Sequence, residues 1–124
     1  MTAEGRQVYC AFRQGSLAGF AVKHYLLLYS FVDDYLQRRT AFRDAHLRHA
    51  WEAQQRGSLL LAGALTDPAD TGVLLFEADS PAVVEAFARI DPYVVNGLVK
   101  SWRVREWTTV VGASANSPLR PAGR

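Results

Sequence analysis

The sequence predicts an α+β domain: one antiparallel sheet with helices packed on a single face. Three observations lead there. Strand-like and helix-like stretches follow one another between residues 22 and 111 in the order strand, helix, strand, strand, helix, strand. The first strand-like stretch, 22–31 (VKHYLLLYSF), is apolar in both alternating sets, as in a strand covered on both sides. The 124-residue chain is long enough for one domain with its own core, and its single cysteine, Cys10, excludes an internal disulfide.

Residues 1–21 hold Gly5, Gly15 and Gly19 and show no sustained period. They read as an extension outside the domain, disordered or the product of a mis-assigned start, with Cys10 a spare thiol. Val22 opens the first clear element. After the strand at 22–31, Asp33 and Asp34 place negative charge where a helix N-terminus favours it. That helix is expected to run to about Arg56 and to stop at Gly57, with Arg43, His46, Leu47, Ala50 and Ala53 or Gln54 on its inward stripe. Residues 58–65 (SLLLAGAL) and 72–78 (GVLLFEA) flank the turn-rich 66–71 (TDPADT) and predict an antiparallel hairpin. Ser80 and Pro81 start a second helix with Val83, Val84, Ala86 and Phe87 as its apolar face, ending near Ile90. The turn 91–97 (DPYVVNG) leads into a last strand over 98–111. Trp102 and Val104 lie on one face of it, Arg103 and Arg105 on the other. Residues 112–124, rich in Ser, Pro, Gly and Ala, are expected to be a flexible tail.

Two strand-helix-strand units in this order make a ferredoxin-like βαββαβ sandwich, a four-stranded antiparallel sheet with both helices on one face. The apolar second face of the first strand would then stay wet in a monomer, so a homodimer that pairs two sheets is expected.

Charge narrows the partners. Residues 1–21 and 112–124 carry a net +3 (Arg6, Arg13, Arg120 and Arg124 against Glu4), so the body, 22–111, sums to −1 within an overall +2. The basic character belongs to the ends, and nucleic acid is not expected as a partner. The apolar stretch 17–31 is broken by Lys23 and His24 and is shorter than the roughly 20 residues of a spanning helix. With no export signal recognisable at the start, the expected location is the cytoplasm.

The chemistry lies in two stretches whose His46 and Asp91 are 45 residues apart, 43–47 (RDAHL) on the first helix and 91–97 (DPYVVNG) before the last strand. A helix histidine and a turn aspartate that meet in the fold form an acid/base centre, the carboxylate orienting the imidazole and supporting its protonation. These stretches, with Gly57 and the Ala62-Gly63 pair around the second strand, resemble the YciI-like (YCII-related) family over about residues 22–111. The resemblance implies a dimeric α+β barrel of the ferredoxin-like fold, similar to the muconolactone isomerase group. It also implies that His46 and Asp91 are the heart of the active site. One departure is Gly63-Ala64, where many members have Gly-Pro, which alters a pocket wall without touching the pair.

Each residue also has a plainer interpretation. His46 on an inward stripe serves equally as a hydrogen-bonded core residue, and Asp91 before Pro92 as a turn cap. Arg43, one turn before His46, is placed to bind an anionic substrate group or to pair with Asp44 or Asp91. Tyr93 either donates to a ligand or anchors its turn, and Arg103 is placed to point into the barrel. His24 packs within its strand, and His49 faces solvent beside Arg48 and Glu52. Tyr25, Tyr29 and Phe31 are placed to line an aromatic-friendly cavity or, more plainly, to pack in the core or a dimer interface, and Trp51 and Trp107 are packing residues.

No Gly-rich phosphate loop, nucleophile elbow or H-E-x-x-H signature occurs, so neither metal nor cofactor is expected. The sequence therefore predicts a small lyase- or isomerase-type enzyme. Its centre is His46 and Asp91, its substrate contacts are Arg43, Tyr93 and Arg103, and its substrate is a small cyclic or aromatic-derived acid. The alternative is a non-catalytic ligand-binding or interaction module on the same barrel. A pair facing an open cleft marks the enzyme, and a sealed pair marks the module.

Overall fold

The computed structural model describes residues 22–122, so the expectations for the N-terminal extension and Cys10 lie outside the described residues. Alternation of large apolar side chains makes β1 (Lys23–Phe31) the central strand, with Tyr25, Leu27, Tyr29 and Phe31 buried on one face. The other elements are α1 (Tyr35–Gln55), β2 (Leu59–Ala64), β3 (Thr71–Ala78), α2 (Pro81–Ile90), α3 (Pro92–Val95) and β4 (Val99–Trp107). The strands order as β2-β3-β1-β4 and every pairing is antiparallel, the ferredoxin-like arrangement.

Small residues on α1 let it approach the sheet closely: Ala53 is fully buried and Ala50 nearly so. Asp34 stands at the N-cap without a side-chain cap bond. At the other end Gly57 takes φ 87°, a left-handed turn that a side chain would resist. Gly57 N–H bonds the Gln54 carbonyl at 2.9 Å and Ser58 N–H that of Ala53 at 3.1 Å, the paired bonds of a Schellman stop. On α2 the buried residues are Val84, Phe87 and Ala88. Val83 is 42% exposed, so the inward face is rotated from the expected one by about one position. Ser80 is its N-cap but makes no side-chain cap bond.

The stretch 91–97 is more than a turn. Pro92 presets its first helical position, Asp91 caps it, and one helical turn forms as α3. Gly97, at φ 80°, closes it as Leu98 N–H bonds the Tyr93 carbonyl at 2.9 Å. The last strand is shorter than its apolar pattern suggests and ends at Trp107. Beyond it, Ser117 N–H bonds the Thr109 carbonyl and Leu119 N–H that of Val110. His24 is buried, with Nδ1 2.7 Å from the Thr109 hydroxyl.

Register sorts β4 as its alternation predicts. Trp102 sits opposite Tyr29 and Val104 opposite Leu27 on the helix side, whereas Arg103 and Arg105 sit opposite Leu28 and Leu26 on the bare side. That side carries Leu26, Leu28, Val73 and Leu75, all half-buried within the single chain. On the helix side, Gly72 leaves room for Phe31. A Cβ there would stand 2.8 Å from the Phe31 ring, which instead lies flat on Tyr35 with centroids 3.7 Å apart. This aromatic layer floors the site.

Candidate active site

Asp91 is the pivot. It ends α2 and caps α3, with the extended backbone that a following proline favours, and it is fully buried. A buried carboxylate is costly unless its oxygens are bonded. Oδ1 accepts the Tyr93 N–H at 3.0 Å and lies 2.8 Å from His46 Nδ1, and Oδ2 accepts the Tyr29 hydroxyl at 2.6 Å. Three elements, α1, β1 and α3, thus converge on one side chain.

A carboxylate can only accept, so in the neutral ring the proton of His46 is assigned to Nδ1. That leaves Nε2 with a lone pair and, among the described residues, no protein partner. The ring is stacked on Tyr93, centroids 3.8 Å apart and planes 6° from parallel, which fixes its plane as the aspartate fixes its rotation. An oriented imidazole of this tautomer can accept a proton at Nε2 and return it.

His46 faces a cavity of about 420 Å³ between α1 and the β1-β3-β2 part of the sheet, within the size range of small-molecule sites, and Asp91 lies buried behind it. Phe31, Tyr35, Ala50, Leu59, Leu74 and Tyr93 supply its largely apolar lining. Its rim is accessible: Trp51 is 62% exposed and Leu61 72%. Two cations line it, Arg39 and Arg43, with the Arg39 guanidinium 5.5 Å above the centre of the Tyr35 ring. The ion pairs between Arg43 and Asp44 or Asp91 that the sequence allows do not form among the described residues.

The phenols are held as neutral donors. Burial, reinforced by the Asp91 charge and the bond to it, raises the Tyr29 hydroxyl far above the ordinary phenol range. Burial and the neighbouring Tyr35 hydroxyl push Tyr93 up to about 12, against the opposing pull of Arg39 and Arg43. Among the described residues no three His, Cys, Asp or Glu side chains gather as a metal site.

The structure brings together four of the five residues that the sequence singles out: His46, Asp91, Arg43 and Tyr93. The fifth, Arg103, does not reach this cavity. Strand alternation puts it on the bare sheet face opposite Leu28, the side expected of it but away from His46. His49 does not face solvent either: its Nε2 is 3.0 Å from the Phe87 carbonyl and its ring stacks on Phe87 at 4.1 Å. Trp51, expected to pack, stands on the rim. Sequence reasoning places Tyr29 and Phe31 at an aromatic cavity, which both line, but misses the bond from Tyr29 to Asp91 and the places of Tyr35 and Arg39. Tyr29 shares the inward alternation of Tyr25 and Leu27, and Arg39 precedes Arg43 by one helical turn; those signals place the residues without revealing their partners.

The family model described as the YCII-related domain matches residues 24–108. No curated protein matches the chain. Among solved structures, the chain is similar in fold to 5-chloro-2-hydroxyhydroquinone dehydrochlorinase from Burkholderia phenoliruptrix, determined with 2,5-dihydroxybenzoquinone. That similarity has TM-score 0.60 and 21% identity, over 69% of this chain and 94% of that one.

Proposed function

The chain belongs to the YCII-related family, and from that footing we propose that it is a small enzyme of lyase or isomerase type acting on a small cyclic or aromatic-derived acid. The observation that carries this reading is the His46–Asp91 contact of 2.8 Å, made by Nδ1, with Nε2 left over at an accessible cavity. Nε2 is the base: it removes a proton from a carbon beside a carbonyl, and the electron pair moves onto the carbonyl oxygen. The pair then returns either to expel a leaving group or to take the proton back at another carbon. Asp91 holds the tautomer and balances the imidazolium that forms, while Arg43 steadies the charge on oxygen. This proton traffic calls for no cofactor. The name of the neighbour of like fold, a dehydrochlorinase, supports elimination as the lyase version.

The same reading makes the protein a cytoplasmic homodimer, paired through the bare sheet face. Leu26, Leu28, Val73 and Leu75 support that assembly. Among the described residues no helix is long and apolar enough to cross a membrane.

The test is a panel of small cyclic and aromatic acids incubated in heavy water and followed by proton NMR, with wild type and His46→Ala side by side. Wild type should lose a C–H signal or release a leaving group from at least one acid. His46→Ala should be slower by roughly 10²–10⁴-fold, the range for removal of a general base. Equal rates in the two proteins would exclude His46 as the base. Saturable binding without turnover would support a ligand-binding module instead.

A further inference from the structure

Arg39 and Arg43 stand one turn apart on α1, and both line the cavity that holds His46. Like charges at this spacing repel on a helix, so the pair is unfavourable for the helix by itself. Neither is neutralised within the described residues, where ion pairs join only Arg38 to Asp34 and His46 to Asp91. Arg39 is nonetheless placed: its guanidinium lies over the Tyr35 ring, 5.5 Å from the centroid. Both cations also bear on the Tyr93 hydroxyl, whose acidity they raise against burial, so their charge reaches the ring on which His46 is stacked.

The remaining walls are flat or apolar. Tyr35 is stacked on Phe31 within 5° of parallel, and Leu59 and Leu74 are buried behind the cavity. A largely apolar chamber with two guanidinium groups that have no ion-pair partner among the described residues suits a ligand with a planar body and one oxyanion, because the planar fork of arginine matches a carboxylate in a bidentate way. We infer that Arg39 and Arg43 together form a clamp for the carboxylate of a ring-bearing acid, holding its ring against the aromatic wall beside His46 Nε2. This inference rests on the proposed function and deepens it. It names the group by which the acid is recognised, and it adds Arg39 as a residue that selects acids over neutral rings.

The probes are benzoate, its neutral counterpart benzamide and inorganic phosphate, each titrated into the full-length protein. Binding is read by NMR from the His46 ring protons and the arginine Nε–H signals. Benzoate should bind saturably in the millimolar range or better and shift both sets of signals, with benzamide and phosphate weaker. Arg39→Met and Arg43→Met should each weaken benzoate by roughly tenfold, the loss of one charge-assisted hydrogen bond. Arg39→Lys should recover only part of that loss. His49→Gln, outside the cavity lining, should leave benzoate affinity within about twofold.

Benzoate binding that shifts His46 but ignores the arginine substitutions would overturn the clamp and leave the His46 site standing. Arginine-dependent binding that leaves the His46 ring untouched would uphold an anion site but separate it from the proposed centre, which overturns the inference as stated. Absence of saturable benzoate binding, or phosphate binding as tight as benzoate, would also overturn it.

Discussion

His46 and His49 lie three residues apart on one helix, and each ring is stacked on an aromatic side chain, Tyr93 at 3.8 Å and Phe87 at 4.1 Å. They face different regions of the molecule. At the corner of α1 and α3, His46 gives Nδ1 to a buried carboxylate and keeps Nε2 for the cavity. At the seam of α1 and α2, His49 gives Nε2 to a backbone carbonyl, does not line the cavity, and ties two helices together. The same side chain in the same stacking is thus left facing a cavity in one place and spent on packing in the other. The partner's charge and the access of the second nitrogen decide which.

The contrast is most directly broken in turnover. His46→Ala should cost roughly 10²–10⁴-fold in kcat on an identified substrate, while His49→Gln leaves kcat within a small factor of wild type. Equal losses would erase the distinction. Asp91→Asn comes next. The amide cannot accept from Tyr29, Tyr93 and His46 together, so kcat should fall about as far as in comparable aspartate-to-asparagine changes, toward 10⁴-fold. Urea unfolding should also show a loss of about 1–3 kcal/mol for an unsatisfied buried group. A fully active Asp91→Asn enzyme would show that the carboxylate is only a cap for α3.

Smaller effects sharpen the picture. Tyr29→Phe removes the 2.6 Å bond to Oδ2 and should cost about 1–3 kcal/mol, where His49→Gln costs about 0.5–1.5 kcal/mol for a neutral bond. Smallest is a pH slope. Tyr93 ionises at about 12 in the folded chain against 10.0 for an ordinary exposed tyrosine, so the folded state holds its proton to higher pH. Stability should be flat below about pH 10 and fall as pH rises through that window. Urea midpoints across the range would show it, and Tyr93→Phe should flatten part of the decline. A steeper decline in the variant would contradict the assignment.

Much of this is legible in the residues. The order of elements, the Gly57 stop and the two faces of β4 follow from alternation and turn chemistry, which are local. The approach of His46 and Asp91 is not local. Spacing alone leaves capping and catalysis as equals, and the structure shows Asp91 capping Tyr93 N–H and meeting His46 with the same oxygen. The bond of Tyr29 escapes notice because a tyrosine on an apolar strand looks like core or cavity wall; its partner Asp91 lies 62 residues away. His49 misleads because charged neighbours suggest solvent, although its ring reaches across to Phe87. The bonds between Thr109 and Asn116 are not legible either, because Ser, Pro and Gly describe local preference and not a partner seven residues away.

The central claim is that Asp91 fixes His46 with its proton on Nδ1 and Nε2 free. Nitrogen-15 correlation NMR of the imidazole rings reads this directly in their neutral forms, and His49 is the internal control. The account predicts opposite tautomers, Nδ1–H for His46 and Nε2–H for His49, with the His46 preference lost in Asp91→Asn. A His46 ring protonated on Nε2, or one unaffected by that substitution, would contradict it.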